Sequence, residues 1–434
     1  MMITNKVGIA VTVRAHEDII IQFIDYHLSK GIDEIYIFFD DPCFNKNIFK
    51  FGNDKRIFFI SCDEYYWNKL NNYRFDQTSL VEKPLGIEQR QFSNYEYARR
   101  ITSCDWMANI DIDELIYSPY EIKKILDILP INYFSIRMVS KEAVYTTHIE
   151  ENDIFDTCFF KLNNKINEKI SAKFYPRFLF SNGGFWGHKL GKILARTTES
   201  LRHIGNHYIF PLNDDLIVDV EFKFLFLLHF EGLSEKYFIE KQIRRINNND
   251  VVVQRISKNE RARLNYFSEQ YKVGGEEKLK ELYRLMHVFE SERFDDAVKL
   301  GFIEKIDFKK EYKKFDLYLE DFHFSILNYS TDLNKVISDK SQKTNVFLLQ
   351  IIVQQEQKGV LFFITYNGAY IGLASDGVNL KANDSVFTKV FDIVLFNEFL
   401  AIKNKDNYLI SQKNGVVKFN SKNLGNWELF EIKN

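Results

Sequence analysis

The chain has 434 residues, 45% of them hydrophobic and 27% charged, with a formal net charge of −2. That length predicts two or three domains, and the composition excludes a disordered chain. A near-neutral balance supplies no basic field, so no nucleic-acid partner is expected.

Four cysteines, Cys43, Cys62, Cys104 and Cys158, lie far apart and form no Cys-x-x-Cys pair. This argues against a zinc site and for free thiols in a reducing compartment. The apolar run near the N-terminus is too short for a signal h-region. The longest later run, Phe222–Phe230, contains Lys223 and His229 and falls far short of a membrane span. The expected location is cytoplasmic, which is compatible with peripheral contact at the inner face of the membrane.

Lys6–Val13 reads as a first strand, followed by the polar loop Arg14-Ala15-His16-Glu17-Asp18, with Asp18 a candidate helix cap. Ile20, Phe23, Ile24, His27 and Leu28 fall on one face at three-four spacing, which predicts a helix over Ile19–Lys30 that Gly31 stops. Ile35–Phe39 is a second apolar strand ending in Asp40-Asp41-Pro42. Strand, helix and strand in this order make a βαβ unit. Its ligand-facing residues are those after each strand: Arg14, Glu17, Asp40 and Asp41.

Arg56–Cys62 is a third strand, and Asp63–Glu82 a polar, aromatic loop. Gly86–Ser103 reads as a helix in which Gln89, Arg90 and Asn94 lie near one face. It leads into Trp106–Pro119. There Trp106-Met107-Ala108-Asn109-Ile110 has the look of a strand buried on both faces, and Asp111-Ile112-Asp113-Glu114 follows at its C-terminal end. Carboxylates clustered at the edge where open α/β sheets bind ligands suit a hard divalent cation that also holds phosphates. Taken alone, Asp-x-Asp is better read as a solvated acidic turn, because two acids two apart occur often by chance.

Tyr120–Leu129 is a short helix, Tyr133–Val139 a strand, and Ile149–Ile170 a polar loop or flap. Lys173–Arg196 carries Gly183, Gly184, Gly187 and Gly191 with Phe185, Trp186 and His188. Glycines beside an aromatic permit a close-approach loop in which a ring faces a sugar, so Trp186 is the candidate acceptor platform; a structural Trp in a turn is the alternative. Leu225–Leu228 is apolar and ends in His229-Phe230-Glu231-Gly232, ahead of a helix with Ser234 as N-cap and Glu235 to Arg245 within it. A histidine between a buried strand and a helix N-terminus suits a metal or phosphate; a satisfied structural role is the competing reading.

Residues 234–316 are helix-rich and dense in Lys, Arg and Glu, a helical extension for scaffolding, acceptor contact or self-association. From residue 317 the chain is rich in β-branched and aromatic residues, Asn and Gly. Asn334–Ser338, Ala369–Leu373 and Asn407–Ser411 resemble one another, and Leu349-Gln350-Ile351, Phe391-Asp392-Ile393 and Phe430-Glu431-Ile432 close three units. Three all-β repeats of roughly 40 residues predict a closed threefold barrel.

Taken together, the stretches VTVRAHEDIIIQFIDYHLSKGIDEIYIFFD, EQRQFSNYEYARRITSCDWMANIDIDELI and LLHFEGLSEKYFIEKQIRR resemble glycosyltransferases of the GT-A fold, close to family 2 and family 92 of the DUF23 type. The residues that carry this are Tyr26, His27 and Gly31; Asp40; Asp111, Asp113 and Glu114; and His229, Phe230 and Ser234, within residues 6–245. Arg14-Ala15-His16-Glu17 stands where that family has an Asn-Glu pair, so Glu17 is kept and the Asn is not, and Leu115 stands where Phe is common. The C-terminal part resembles a fascin-like β-trefoil through Trp427, Phe430 and Ile432, and lacks the Gln-x-Trp repeats of ricin-type lectins. Whether it binds sugar or serves as a scaffold is open.

The resemblance implies an α/β GT-A domain over residues 1–233, the helical extension at 234–316 and an all-β trefoil over 317–434. It implies a metal-dependent, inverting enzyme that moves a sugar from a nucleotide-sugar donor, carried on UDP, to a glycan, glycolipid or glycoprotein acceptor. By analogy the setting is bacterial surface polysaccharide or adhesin glycosylation. Mn2+ or Mg2+ is expected on Asp113, on His229, and on Asp111 through water or with Asp111 on the ribose instead. Arg14, Glu17 and Asp40 are candidates for base and ribose, with Asn94 beside them; Arg90 and Lys192 are candidate cations for phosphate. An inverting transfer needs one general base near the acceptor hydroxyl, and Asp153, Asp156, Glu199 and Glu231 are four open choices, Glu231 also acting near the metal. The alternative is a non-catalytic carbohydrate- or protein-binding protein with a degenerate domain.

Overall fold

Seven consecutive buried residues, Val7–Val13 (β1), form the middle of a ten-stranded mixed sheet in the N-terminal region. The computed structural model describes residues 5–41, 52–70, 83–84, 86–146, 155–162, 170, 173–175, 185–187, 190–247, 258–312, 318–323, 325–338, 346–353, 359–366, 369–382, 391–396 and 399–433. After β1 come α1 (Glu17–Ser29), β2 (Glu34–Phe39), β3 (Ile57–Ser61), α2 (Glu64–Leu70), α3 (Ile87–Ile101), β4 (Trp106–Asn109) and β5 (Glu114–Tyr117). Then follow α4 (Ile122–Asp127), β6 (Ser135–Val144), β7 (Phe159–Lys161), β8 (Lys192–Arg196), the hairpin β9 (Leu201–Ile204) and β10 (Ile209–Pro211), and β11 (Val220–His229). Three helices, α5 (Glu235–Asn247), α6 (Lys258–His287, kinked at Gly274-Gly275) and α7 (Ser291–Lys299), lead to β12 (Ile303–Lys305). Among the described residues no helix is long and apolar enough to cross a membrane.

The strand and helix expectations hold closely as far as β4, with one correction: the expected loop Asp63–Glu82 opens with helix α2, whose Tyr66, Trp67 and Leu70 are buried, and residues 71–82 lie outside the described ones. Helix α1 starts earlier than predicted: His16 occupies the N-cap position without a side-chain bond, and Asp18 lies inside the first turn instead of capping it. There its charge still favours the positive end of the helix. Gly31 ends α1 at φ +77°, with Gly31 N–H bonding to Leu28 O and Ile32 N–H to His27 O, a Schellman closure that favours glycine. The expected flap at 149–170 contains the short strand β7, and most of the rest of it lies outside the described residues.

Pairing directions decide which strand ends share an edge. Strands β3, β2, β1 and β4 are parallel in that order. Strand β8 runs antiparallel to both β4 and β6, so β6 is parallel to β4. Strand β11 is parallel to β6 and antiparallel to β5. One edge of the sheet therefore collects the C-terminal ends of β1, β2, β4, β6 and β11 with the N-terminal ends of β5 and β8. Open α/β sheets bind ligands at such an edge. The segment 234–316 does not stand apart from this sheet: β12 returns to pair with β7, and the helices share a core with Val144, Trp186 and Ile303.

The C-terminal region is almost all β: β13 (Tyr318–Asp321), β14 (Leu327–Ser330), β15 (Lys335–Ser338), β16 (Val346–Leu348), β17 (Gln350–Val353), β18 (Gly359–Tyr366), β19 (Ala369–Ser375), β20 (Leu380–Ala382), β21 (Phe391–Phe396), β22 (Phe399–Asn404), β23 (Asn407–Ser411), β24 (Val417–Ser421) and β25 (Phe430–Lys433). Strands β13, β17, β18, β21, β22 and β25 pair around a closed ring. The pairs β14–β15, β19–β20 and β23–β24 form three hairpins off it. Along β18, Val360, Phe362 and Ile364 enter the core inside the ring, while Leu361 and Phe363 belong to the core of the N-terminal sheet. Period-two alternation thus buries both faces of one strand.

Candidate functional site

The acidic turn lies between β4 and β5, at the edge just defined. Asp111 and Asp113 go different ways from it. Lys192, at the start of β8, places its ammonium 2.9 Å from Asp111 Oδ2, and Gln91 of α3 donates to Asp111 Oδ1 at 2.6 Å. Glu114 accepts the Asp111 N–H at 2.8 Å, which closes the turn on itself. Burial works against the charge on Lys192, and Asp111 with Glu114 more than offsets it, so the ammonium is held above its usual range. Burial pushes the Glu114 carboxyl up to about 7, with Lys192 opposing and the Asp111 charge adding to the rise.

Asp113 instead faces the C-terminal end of β11. Asp113, His229 and Glu231 are all buried, and each offers a ligand atom within 4.8 Å of the others. His229 Nε2 is 3.5 Å from Glu231 Oε2 and 3.9 Å from Asp113 Oδ1. Burial disfavours charge on this imidazole, but the hydrogen bond to Glu231 and the negative field of Asp113, Glu231 and Glu114 outweigh it and raise the ring to about 9. Lys241 of α5 completes the cluster, 2.9 Å from Asp113 Oδ2 and 2.7 Å from Glu231 Oε2, with Arg245 3.4 Å from Glu231 Oε1. Ser234 caps α5 as expected, its Oγ accepting the Tyr237 N–H at 3.1 Å.

The donor set suits a hard divalent cation: two carboxylates and one imidazole converge, with Lys241 bonded to Asp113 Oδ2 and to the same Glu231 Oε2 that faces His229. The expected trio is altered in one member. Asp111 is tied to Lys192 and Gln91, and Glu231 takes its place beside Asp113 and His229.

Asp40 ends β2 at the same edge. Arg90 Nε is 2.7 Å from Asp40 Oδ1 and Lys83 Nζ 3.1 Å from the same oxygen, so both cations are brought to Asp40. Arg14 is exposed and pairs with Asp41 at 3.6 Å; Glu17 opens α1 beside it. Asn94 is not a surface contact: it is 1% exposed, donates to Thr12 Oγ1 at 2.8 Å and accepts from Tyr66 at 2.7 Å. Its neighbour one turn back, Gln91, is the residue of α3 that reaches the turn.

Trp186 offers no open face. It is 2% exposed, packs edge-on against Tyr175 at 5.3 Å and donates from its indole to Met286 O at 3.3 Å, so it is a core residue and not a sugar platform. Two base candidates are displaced as well. Glu199 follows β8, which runs antiparallel to β4 and carries the chain to the opposite edge, where Arg196 pairs with Trp106. Asp156 is exposed and paired with Lys309 at 2.7 Å. Asp153 lies outside the described residues, as do Gly183, Gly184 and His188.

Sequence reasoning missed Lys241, Gln91 and Lys83. Lys241 carries a partial signal: it lies one turn after Tyr237 on the helix that leaves the His229 strand, so it shares the face of that residue.

No protein-family model matches the chain, and no curated protein sequence does. Among solved structures, the crystal structure of GalNAc-T7 with UDP, GalNAc and Mn2+ matches with 8% identity, covering 99% of this chain and 82% of that one, at a TM-score of 0.24. A superposition at that score establishes neither fold nor chemistry for this chain.

Proposed function

We propose that the protein is a metal-dependent glycosyltransferase of the GT-A kind that moves a sugar from a nucleotide-sugar donor, carried on UDP, to a glycan, glycolipid or glycoprotein acceptor, in bacterial surface glycosylation. The observation that carries this reading is the convergence of Asp113, His229 and Glu231, from two distant segments, at the carboxyl edge of parallel strands that also presents Asp40. In this reading the C-terminal ring with its three hairpins is a β-trefoil.

Asp113, His229 and Glu231 would hold Mn2+ or Mg2+, which supplies charge neutralisation for the departing diphosphate. Lys192 and Lys241 add fixed positive charge on either side of the turn, where phosphate oxygens gain charge-assisted bonds. Asp40, oriented by Arg90 and Lys83, lies where a ribose would follow the second strand. Gln91 and Lys192 orient Asp111. No general base is proposed: Glu231 is engaged with the cluster, and Asp156 and Glu199 face elsewhere.

Donor hydrolysis over a panel of nucleotide sugars, with Mn2+ and with chelator, tests the reading. Release of nucleoside diphosphate should require the metal and vanish in Asp113→Ala. Release that persists unchanged in both overturns it. A second reading, a non-catalytic binding protein, is favoured by one observation: the Lys241 ammonium already bonds to both carboxylates. It predicts no release under any condition.

A further inference from the structure

We propose that the backbone at Trp186–Gly187, held by Glu142, is the positioning element that turns the His229 imidazole so that Nε2 faces Asp113 and Glu231. The inference rests on the metal-dependent reading above and concerns how one ligand is aimed.

Three observations meet here. First, Gly187 lies directly on the ring. A Cβ at this position would stand 2.3 Å from His229 Cε1 and 2.4 Å from Nδ1, closer than carbon and nitrogen approach without a bond, while Nε2 is 3.5 Å away. The Cε1–Nδ1 edge is therefore closed by backbone, and the Nε2 corner is left toward the carboxylates, 3.5 Å from Glu231 and 3.9 Å from Asp113. Only glycine lets the chain come this close.

Second, the segment is pinned. Glu142 Oε2 accepts the N–H of Trp186 at 2.7 Å and of Gly187 at 3.0 Å. Glu142 stands opposite His229 in the β6–β11 register, so the anchor and the ring it serves are neighbours across one strand pair. The next fixings are Trp186 itself, through its indole N–H to Met286 O at 3.3 Å, and Arg263, which donates to Trp186 O at 2.6 Å.

Third, the anchor is a charge kept out of water. Glu142 and Lys161 have fully buried side chains 2.5 Å apart. Such a pair is weak evidence for stability, because desolvation offsets most of its attraction; its value lies in a fixed geometry. Here that geometry is a carboxylate oxygen aimed at two successive backbone donors beside a ligand histidine. Groups that orient a ligating histidine from behind commonly govern its metal affinity.

The test is Mn2+ binding to the full chain, read by the electron spin resonance of free Mn2+, and the visible absorption of Co2+ added in its place. Wild type and Asp113→Asn decide the parent reading: one tight ion in the first and binding about 100-fold weaker in the second are expected. Gly187→Ala decides the inference. The new methyl group must push the ring aside, so Mn2+ affinity should fall about 10- to 100-fold and the Co2+ band should lose its imidazole character. Glu142→Gln, at the other end of the strap, should move both readouts the same way and serves if Gly187→Ala does not fold. Wild-type affinity and an unchanged Co2+ band in the folded variant overturn the positioning role and leave the metal reading standing. Absence of binding in wild type overturns both.

Discussion

Lys241 sets its ammonium 2.9 Å from Asp113 Oδ2, so a helix cation bonds to the strand-end acid that the sequence marks as the leading metal ligand. The same nitrogen reaches Glu231 at 2.7 Å. Removing it leaves two buried carboxylates with less positive charge between them. Lys241→Met is expected to lower stability by about 3 kcal/mol in chelator, the usual cost of breaking a buried pair. Saturating Mn2+ should return more stability to the variant than it adds to wild type. Equal thermal shifts in the two proteins would show that the ammonium and the ion do not share these oxygens.

The two acids of the turn should separate experimentally. Asp113→Asn is expected to weaken Mn2+ binding about 100-fold, because Asp113 faces His229 and Glu231. Asp111→Asn should change it less than about threefold, since Asp111 is bonded to Lys192 and Gln91, and weakening of a remote carboxylate acts only through a partly screened field. Calorimetric titration of both variants checks this; equal losses would return Asp111 to the ligand set.

His27 makes stability depend on pH. Its ring is fully buried, Nδ1 at 2.9 Å from Phe23 O and Nε2 accepting the Ile116 N–H at 3.2 Å, and burial drives its pKa down to about 3. The unfolded chain takes up the proton near 6.5, and the folded one does not. The contribution is complete above pH 6.5 and falls away as pH drops toward 3. Between pH 8 and pH 5, wild type should lose about 2 kcal/mol relative to His27→Gln. Urea unfolding of both proteins across that range measures it, and parallel pH profiles would refute it.

In the barrel, Asp321 is a hub. Its Oδ2 accepts from Ser338 at 2.6 Å and Ser411 at 2.5 Å, its Oδ1 from the N–H groups of His323 and Ser325 at 2.9 Å each. Asp321→Ala strands four donors, and a loss of about 3 kcal/mol is expected, since bonds to a charged acceptor are the stronger kind. Nucleotide-sugar hydrolysis below the new melting point should be unchanged. A stability loss under about 1 kcal/mol in the melting curve would refute the hub.

What was readable in the chain follows the range of the interactions involved. Three-four spacing and continuous apolar runs are local, and they located β1, α1, β2, β3, α3 and β4. Asp40, Asp113 and His229 follow apolar runs that read as strands, which makes them candidates for one edge, while their ligand roles come from the family resemblance. The pairing of Lys241 with Asp113, the turn of Asn94 into the core and the burial of Trp186 depend on which face of one element meets another. A ring suited to sugar and a ring suited to a core have the same composition; only the surroundings separate them. Antiparallel β8 likewise carries Glu199 to the far edge, a reversal no single stretch encodes.

Strand β18 turns Val360, Phe362 and Ile364 one way and Leu361 and Phe363 the other, and each set completes a different core. The C-terminal ring therefore cannot be traded as a cassette. A recombination that brought in a foreign ring would have to match the N-terminal surface at Leu361 and Phe363, and losing the ring would leave that surface greasy and prone to self-adhesion. A backbone shift forced by a substitution on one face of this strand is therefore felt in both cores.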